Sequence, residues 1–385
     1  MDGVRCATAK KYRSLFNENF NLSFHVPKKD QCVRCTVHST KKKQGKLTQA
    51  EEESFQHHFK RRGRARDEKE KDKQEAKKED SRHVIMVDMQ AVMQAPCGLV
   101  SQLYYKRKLS VYNFTTYSLS DGKGTCHTWD ETEGKRGACE IATCLFMYIS
   151  SLPTSVHDVT IYSDCCAGQN RNQYLATSFM HAVNRIPHIQ SITHKYLVTG
   201  HTQMECDSMH SAIATAKKNT AIYTPSGWDI VLRMARRNNP YLVIPLKHKD
   251  ILDFKQVAST RVQNTKKDSK GQRVQWLDVQ CIKFVKEEEG IMFFKYSFDE
   301  EEFKVLRLLG RSAKGKRHDT LKTIPRLYTS KLRITEAKKR ALLSLCASEI
   351  IPVEHHPFYK ALTLSTTAKD SLPEPDVNKT DDDAN

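Results

Sequence analysis

Three aspartates lie in or beside the strands and helices that this sequence predicts. Asp88 interrupts the apolar run at residues 83–89, which is typical of a central strand buried on both faces. Asp164 lies two residues after the end of the β-branched run at residues 159–162, and Asp207 lies near the start of a later predicted helix. A carboxylate in an apolar strand is costly to bury unless it is paired or binds a metal. Because carboxylates suit Mg²⁺ or Mn²⁺, and two such ions can clamp a reacting phosphodiester, the three aspartates predict a metal site for phosphodiester cleavage.

Polar residues beside these aspartates are further candidates for the same site. Glu140, in a predicted helix at residues 136–150, could be a fourth acid or a first-turn residue stabilised by the helix dipole. His201 could donate to the metal site or act as a base for water, although a lone histidine at a strand end is often structural. Three side chains in the loop after Asp164 could orient a carboxylate or contact a sugar-phosphate, and the second could instead cap a helix: Gln169, Asn170 and Asn172.

The elements that would position these residues form a regular series between residues 83 and 220. A capping box at Thr202 and Glu205 predicts where the last helix of this series begins. The predicted order is β, β, β, α, β, α, β, α, with strands at residues 83–89, 103–119, 125–129, 159–162 and 195–198. This is the order of the RNase H-like fold. The expected fold class is therefore α/β, with a three-layer α/β/α core around a mixed five-stranded sheet.

Four segments carry a family resemblance. They are FHVPKKDQCVRC at residues 24–35, VDMQ at 87–90, YSDCCAGQNRN at 162–172 and TGHTQMECDSMH at 199–210. They resemble a large group of transposon-derived proteins, abundant in arthropod genomes, whose core looks like an RNase H-like integrase or transposase domain of the DDE/DDD type. The resemblance covers residues 16–362.

The resemblance implies roles for the three acids and leaves three functions open. Asp88 would bridge two metal ions, while Asp164 and Asp207 would each bind one. Asp207 departs from the family pattern, because many transposases carry Glu there. The leading hypothesis is a transposase- or integrase-like nuclease acting on DNA. The second is a ribonuclease H-like or junction-resolving enzyme, which Glu140 would favour because ribonucleases H use a carboxylate from the corresponding helix. The third is a catalytically inactive, domesticated protein that binds nucleic acid or protein partners.

The charge of the chain predicts a polyanionic partner. Its 385 residues include 63 Lys and Arg against 45 Asp and Glu, a net charge of +18. The excess lies outside residues 83–220, so the flanks would supply the contacts to nucleic acid. The candidates are Arg233, Arg236 and Arg237 on a predicted helix, with Lys266, Lys267 and Lys270 in a predicted loop. DNA is the expected partner in the leading hypothesis, and a homo-oligomer stays open.

A Cys/His motif near the start of the chain predicts a small zinc site. Cys32, Cys35 and His38 form a C-x-x-C-x-x-H pattern that could supply three tetrahedral zinc ligands, with Cys6 or His25 as the fourth. The alternative is two free thiols near a loop, since a single C-x-x-C pair is a weak signal. The remaining cysteines are expected to be reduced thiols.

Composition divides the chain into five predicted regions. A nuclear or cytoplasmic protein is expected, neither secreted nor inserted in a membrane, because no apolar run resembles a signal peptide or a membrane span. The regions are 1–47 with the zinc motif, 48–82 as a charged helix, 83–220 as the RNase H-like core, 221–363 as a basic helix, an antiparallel β module and a C-terminal helix docking on the core, and 364–385 as a disordered acidic tail.

Overall fold

Five strands rich in apolar and β-branched residues form the centre of one mixed sheet in the computed structural model, which describes residues 32–166, 168–309 and 323–365. They are β1 (Arg82–Met89), β3 (Leu109–Ser118), β4 (Gly124–Asp130), β5 (Asp158–Ser163) and β6 (Ser191–Tyr196), and they lie in the order β4-β3-β1-β5-β6. β3 is antiparallel to β1 and β4, whereas β1, β5 and β6 run parallel. The predicted α/β class with a mixed sheet is confirmed.

Further strands on both sides of these five bring the sheet to ten strands within the described residues. β8 (Cys281–Val285) pairs antiparallel with β6, and β9 (Ile291–Lys295) and β10 (Lys304–Arg307) follow it. β7 (Leu242–Pro245) pairs with β4 at the opposite edge, and β2 (Met93–Ala95) pairs with β3. The predicted antiparallel strands after residue 221 therefore exist, but β8–β10 extend the central sheet instead of forming a module packed beside it.

Helices cover both faces of the sheet. One face carries α4 (Ala138–Ser150), α5 (Gln173–Arg185) and α8 (Phe254–Arg261); the other carries α2 (Gln49–Ala76), α6 (Glu205–Lys217) and α7 (Pro225–Met234). The remaining α-helices of the described residues are α1 (Val33–Lys43), α3 (Ser101–Tyr105), α9 (Glu336–Ala347) and α10 (His356–Lys360). Strand β11 (Ile334–Thr335) pairs with β12 (Leu364–Ser365) in a separate small sheet. Among the described residues, no helix has both the length and the apolar character needed to cross a bilayer.

Alternation along β1 explains how one strand serves both layers. Ile85 and Val87 pack in the cluster beneath α4 and α5, while Val84 and Met86 pack with residues of α2. Asp88 follows the second set in this alternation, so its side chain belongs to the face covered by α2 and α6. The strand direction thus determines which helices can complete a site around Asp88.

The charged helix α2 lies against the sheet instead of standing free in solvent. Thr48 and Glu51 form the capping box that starts it, because each side chain bonds the backbone N–H of the other. Ala65 and Ala76 are buried against the sheet, and Lys195 of β6 forms ion pairs with acids of the helix. A helix that is polar on nearly every face is therefore held by small residues and buried charges.

The C-terminal segment docks on the loop that follows β4. Lys331 Nζ lies 3.0 Å from Glu133 Oε1, and His248 Nδ1 lies 2.8 Å from Glu133 Oε2. Lys338 Nζ lies 2.7 Å from Glu131 Oε1. The Glu133 side chain is 2 % exposed. Through these contacts Glu133 links the loop after β4 both to residues 246–250 and to the part of the chain after residue 323.

Replacing Glu133 with glutamine is expected to destabilise the protein in a pH-dependent way. Burial alone would raise the pKa of Glu133, but bonds from His248 and Lys331 outweigh it and lower the pKa from 4.5 to about 2. A lowered pKa stabilises the fold above pH 4.5, and this stabilisation is lost as the pH falls towards 2. The Glu133→Gln variant should lose up to about 3 kcal/mol of unfolding free energy near pH 7. Urea unfolding at about pH 7 and about pH 3 measures the difference, which should shrink at the lower pH.

The exposed Glu354 provides a matched control, since Glu354→Gln removes the same charge without breaking a buried contact. Equal unfolding free energies for Glu133→Gln and Glu354→Gln near neutral pH would contradict the role given to Glu133.

Candidate metal centre at the ends of the central strands

The first two aspartates lie at the carboxyl ends of adjacent parallel strands. Met86 of β1 is paired with Tyr162 of β5. Asp88 lies two residues further along β1, and Asp164 directly follows the last residue of β5. Asp164 Oδ1 accepts hydrogen bonds from the backbone N of Cys166 at 3.0 Å and from Asn170 Nδ2 at 2.6 Å. The side chain of Asp164 is therefore held at the mouth of β5.

The third aspartate comes with a histidine that the sequence analysis missed. Asp207 and His210 lie three residues apart on α6, a spacing that puts both on one face of a helix. The ligand atoms of Asp88, Asp207 and His210 all lie within 4.8 Å of one another. Asp207 Oδ2 also accepts a bond of 3.1 Å from the backbone N of Met204, which fixes the acid at the helix start. The D-x-x-H spacing was the sequence signal for His210.

The hydrogen bonds of Thr115 assign the tautomer of His210. Thr115 Oγ1 donates to the backbone oxygen of Asp88 at 3.0 Å and lies 2.9 Å from His210 Nε2. A hydroxyl has one hydrogen, so Thr115 must accept from Nε2–H, which leaves a lone pair on Nδ1. That nitrogen faces Asp88 Oδ2 across 3.8 Å. Two lone-pair donors that face each other across such a gap are arranged to share a cation.

Electrostatics at this centre favour a bound cation. Burial, followed by the negative charges of Asp164 and Asp207, raises the pKa of Asp88 from 3.8 to about 7. A bond from the backbone N of Met89 acts in the opposite direction. Burial also lowers the pKa of His210 to about 4, so its imidazole is neutral at physiological pH. A divalent ion would offset the repulsion between the carboxylates and could accept the neutral imidazole as a ligand.

The donor set fits a divalent metal. Carboxylate oxygens suit Mg²⁺ and Mn²⁺, while an imidazole nitrogen is a better ligand for Mn²⁺ and later transition metals. Asp164 is not in the group formed by Asp88, Asp207 and His210, although its charge acts on Asp88. We refer to these four residues as the aspartate centre.

Glu140 has contacts away from the aspartate centre. Its carboxylate is buried and accepts bonds from the backbone N of Lys135 at 2.9 Å and from the Tyr328 hydroxyl. It lies in the first turn of α4, where the helix dipole stabilises a negative charge. These are the contacts of a structural first-turn residue, so the structure does not support Glu140 as a fourth acid of the site.

A second group of ligand atoms lies where α1, α2 and the loop before α6 meet. Cys32 Sγ lies 3.3 Å from His58 Nε2, Cys35 Sγ lies 3.6 Å from the same nitrogen, and Cys35 Sγ lies 3.2 Å from His201 Nε2. All four ligand atoms lie within 4.8 Å of one another. Burial lowers the pKa of both histidines, which keeps them neutral. We call these four residues the thiol–imidazole cluster.

The cluster corrects two predictions. His201 belongs to it, so the placement of His201 beside the aspartates was wrong. His38 does not belong to it: its ring stacks on Phe55 with centroids 3.6 Å apart, and its Nε2 lies 2.7 Å from Glu52 Oε2. The other predicted ligands, Cys6 and His25, lie outside the described residues. His58 was missed because a histidine in a charged helix, 23 residues from Cys35, carries no local signal.

The loop after Asp164 contains one residue that orients the acid and one that starts a helix. Asn170 is buried and donates to Asp164, as one of the predicted alternatives required. Asn172 is the N-cap of α5, because its Oδ1 accepts from the backbone N of Tyr174 and of Leu175. Gln169 is half-buried. Of the three predicted nucleic-acid contacts, Asn170 and Asn172 therefore have structural bonds of their own.

The predicted basic contacts differ in their exposure. Arg236 is half-buried and donates to the backbone oxygens of Asn239 and Gly122. Arg233 donates to the backbone oxygen of Val243 across 3.4 Å but is exposed. The exposed remainder of the set comprises Arg237, Lys266, Lys267 and Lys270. All except Arg236 are thus open to a polyanion.

Comparison with protein families adds one match to this geometry. Residues 138–292 match a domain of unknown function, DUF7869. The matched segment covers less than half of the chain; it contains Asp164, Asp207 and His210 but begins after Asp88. No match was found among curated proteins, and none was found among solved structures.

Proposed function

We propose that this chain is a metal-dependent nuclease with an RNase H-like core, of the transposase- or integrase-like class. The observation that carries the proposal is the meeting of Asp88, from the central strand, with Asp207 and His210 from α6. Asp164 directly follows the neighbouring parallel strand β5, and its charge acts on Asp88. This agrees with the predicted positions of the acids on the first strand, after the fourth strand and on the last helix of the core.

The side chains have separable roles in this proposal. Asp88, Asp207 and His210 would hold a divalent ion, which supplies Lewis-acid stabilisation of a phosphodiester and an activated water. Asn170 would fix the orientation of Asp164 through its hydrogen bond to Asp164 Oδ1. Thr115 holds His210 in the tautomer whose Nδ1 can donate to a metal. The exposed Lys and Arg residues on the flanks would bind the phosphate backbone without reading its sequence.

A nicking assay tests the proposal. Supercoiled plasmid is incubated with the full chain and Mg²⁺ or Mn²⁺, and the Asp164→Asn variant is run beside it. We expect nicking that depends on metal, is faster with Mn²⁺ because of His210, and is strongly reduced in the variant. Activity unchanged by Asp164→Asn would refute the site. No cleavage of DNA or of an RNA–DNA hybrid by a protein that binds DNA would favour the non-cutting alternative.

Replacing Thr115 with valine should weaken metal binding without unfolding the protein. The change keeps the shape of the side chain but removes the group that accepts from His210 Nε2, so the histidine can rotate or change tautomer. Losing such a support costs about 10- to 100-fold in metal affinity or activity. Isothermal titration with Mn²⁺ measures this effect.

Thr116 offers a matched control for this experiment. It is the next residue of β3 and is equally buried, and its Oγ1 has no hydrogen-bond partner among the described residues. The Thr116→Val variant should bind Mn²⁺ as the parent protein does. If both valine variants bind equally well, Thr115 does not support the metal ligand.

A further inference from the structure

The thiol–imidazole cluster has the ligand types and the spacing of a tetrahedral zinc site. With Zn–S of about 2.3 Å and Zn–N of about 2.0–2.1 Å, tetrahedral ligands place sulfur and nitrogen about 3.6 Å apart. Three of the four sulfur–nitrogen distances in the cluster are 3.2, 3.3 and 3.6 Å, and the fourth is within 4.8 Å. Two cysteines and two histidines also form a closed ligand set that leaves no position for a substrate, which is typical of structural zinc.

The backbone around the cluster is built for close approach. Gly200, directly before His201, has φ of +75°, and a Cβ on it would lie 2.7 Å from Cys32 Cα. Only glycine allows both this backbone conformation and this contact. The loop before α6 is therefore pressed against the C-x-x-C segment, so that ligands far apart in the sequence share one small space.

The surroundings of the cluster connect it to the aspartate centre. Lys69 of α2 donates to the backbone oxygen of Gln203 at 3.2 Å and to Glu205 at 3.1–3.2 Å. Helix α2 therefore holds the loop before α6 at two places, through His58 in the cluster and through Lys69. Asp207 and His210 lie in the first two turns of the same α6.

We infer that the thiol–imidazole cluster binds one structural Zn²⁺ ion, which fastens α1 and α2 to the loop that leads into α6. Helices α1 and α2 are too polar to be held in place by apolar burial alone. The bound ion would supply that stabilisation instead. It also fixes the start of the helix that carries two residues of the aspartate centre. The zinc site itself has no role in chemistry, and its existence does not depend on nuclease activity.

Metal analysis of the full chain tests this inference. Protein purified under reducing conditions should contain about one zinc ion per chain, and a mercurial that blocks thiols should release it. The Cys35→Ser and His201→Gln variants should lose the zinc. The His38→Gln variant should retain it, because His38 lies in the same C-x-x-C-x-x-H pattern but outside the cluster.

Several results would overturn the inference. They are reduced protein without zinc, zinc that the mercurial does not release, and loss of zinc in His38→Gln while His201→Gln keeps it. Circular dichroism identifies variants that fail to fold. Where a variant does not fold, the release of zinc from the parent protein by the mercurial tests the inference instead. Substitution with Co²⁺ gives a second readout, since a tetrahedral site with two sulfur ligands should give intense visible absorption and an octahedral oxygen site should not.

Discussion

Replacing Asp88 with asparagine is expected to abolish metal-dependent cleavage and, in the absence of metal, to stabilise the protein. Asp88 is the acid that faces both Asp207 and His210, so its loss removes the ligand that the others share. Losing metal stabilisation of about 4 kcal/mol or more lowers the cleavage rate by about 10³-fold or more. Single-turnover cleavage with saturating Mn²⁺ measures this loss.

The stability gain has a separate cause. Burial and the neighbouring acids raise the pKa of Asp88 from 3.8 to about 7, so its ionised form costs the fold up to about 4 kcal/mol above pH 7. Asparagine has the same shape without the charge. At about pH 8 with a chelator present, Asp88→Asn should therefore melt at a higher temperature than the parent protein. Added Mn²⁺ should stabilise the parent and leave the variant unchanged, because only the parent retains the full ligand set.

The exposed Asp80 is the control for a change of one charge, and Asp80→Asn should alter neither cleavage nor melting temperature. A variant at Asp88 that is less stable than the parent without metal would contradict the electrostatic description of the site. A variant that is more stable but equally active would exclude Asp88 from the proposed chemistry. The electrostatic description of the site would still hold.

The parts of the fold that could be predicted are those determined by local apolar patterns. The runs at residues 83–89 and 159–162 became β1 and β5 within a residue or two at each end, and the aspartates followed from where those runs stop. The run from residue 103 was predicted as one strand, but residues 101–105 form α3 and β3 begins at Leu109. Strand boundaries inside a mixed run depend on pairing partners, which the local pattern does not contain.

The start of α6 shows how distant contacts override a local signal. Thr202 and Glu205 were predicted to form its capping box, yet the helix begins at Glu205 with Met204 as N-cap. Lys69 of α2 pairs with Glu205, and Asp207 bonds the backbone N of Met204 instead. The local sequence could not show that Glu205 pairs with a lysine more than 130 positions away.

The histidines of both candidate metal sites illustrate the same limit. His210 could have been predicted as a ligand from its spacing to Asp207, since both lie on one helix. His58 and His201 come together only because α2 crosses the sheet beside β6 and the loop after it. The attachment of α2 to the sheet therefore matters for both sites, and the buried Lys195 contributes two ion pairs to it.

Replacing Lys195 with methionine is expected to lower the unfolding free energy by about 3 kcal/mol, because it leaves two half-buried acids without their partner. Lys195 is 8 % exposed, and its Nζ lies 2.6 Å from Glu68 Oε1 and 2.6 Å from Asp72 Oδ2. Burial would lower the pKa of Lys195, but the two acids outweigh it and raise the pKa, so the lysine stays charged. Tyr162 also donates its hydroxyl to Asp72, which is too little to offset an unpaired carboxylate.

A double-mutant cycle separates the ion pair from the loss of one partner. Adding Asp72→Asn to Lys195→Met should recover part of the lost stability, because the less exposed of the two unpaired charges is then removed while that of Glu68 remains. Lys71→Met, at an exposed position on the same helix, should change stability little. If Lys195→Met also releases zinc and exposes α2 to proteolysis, α2 positions His58 through this contact. If it unfolds no more easily than Lys71→Met, α2 must be held to the sheet by its buried alanines and the thiol–imidazole cluster instead.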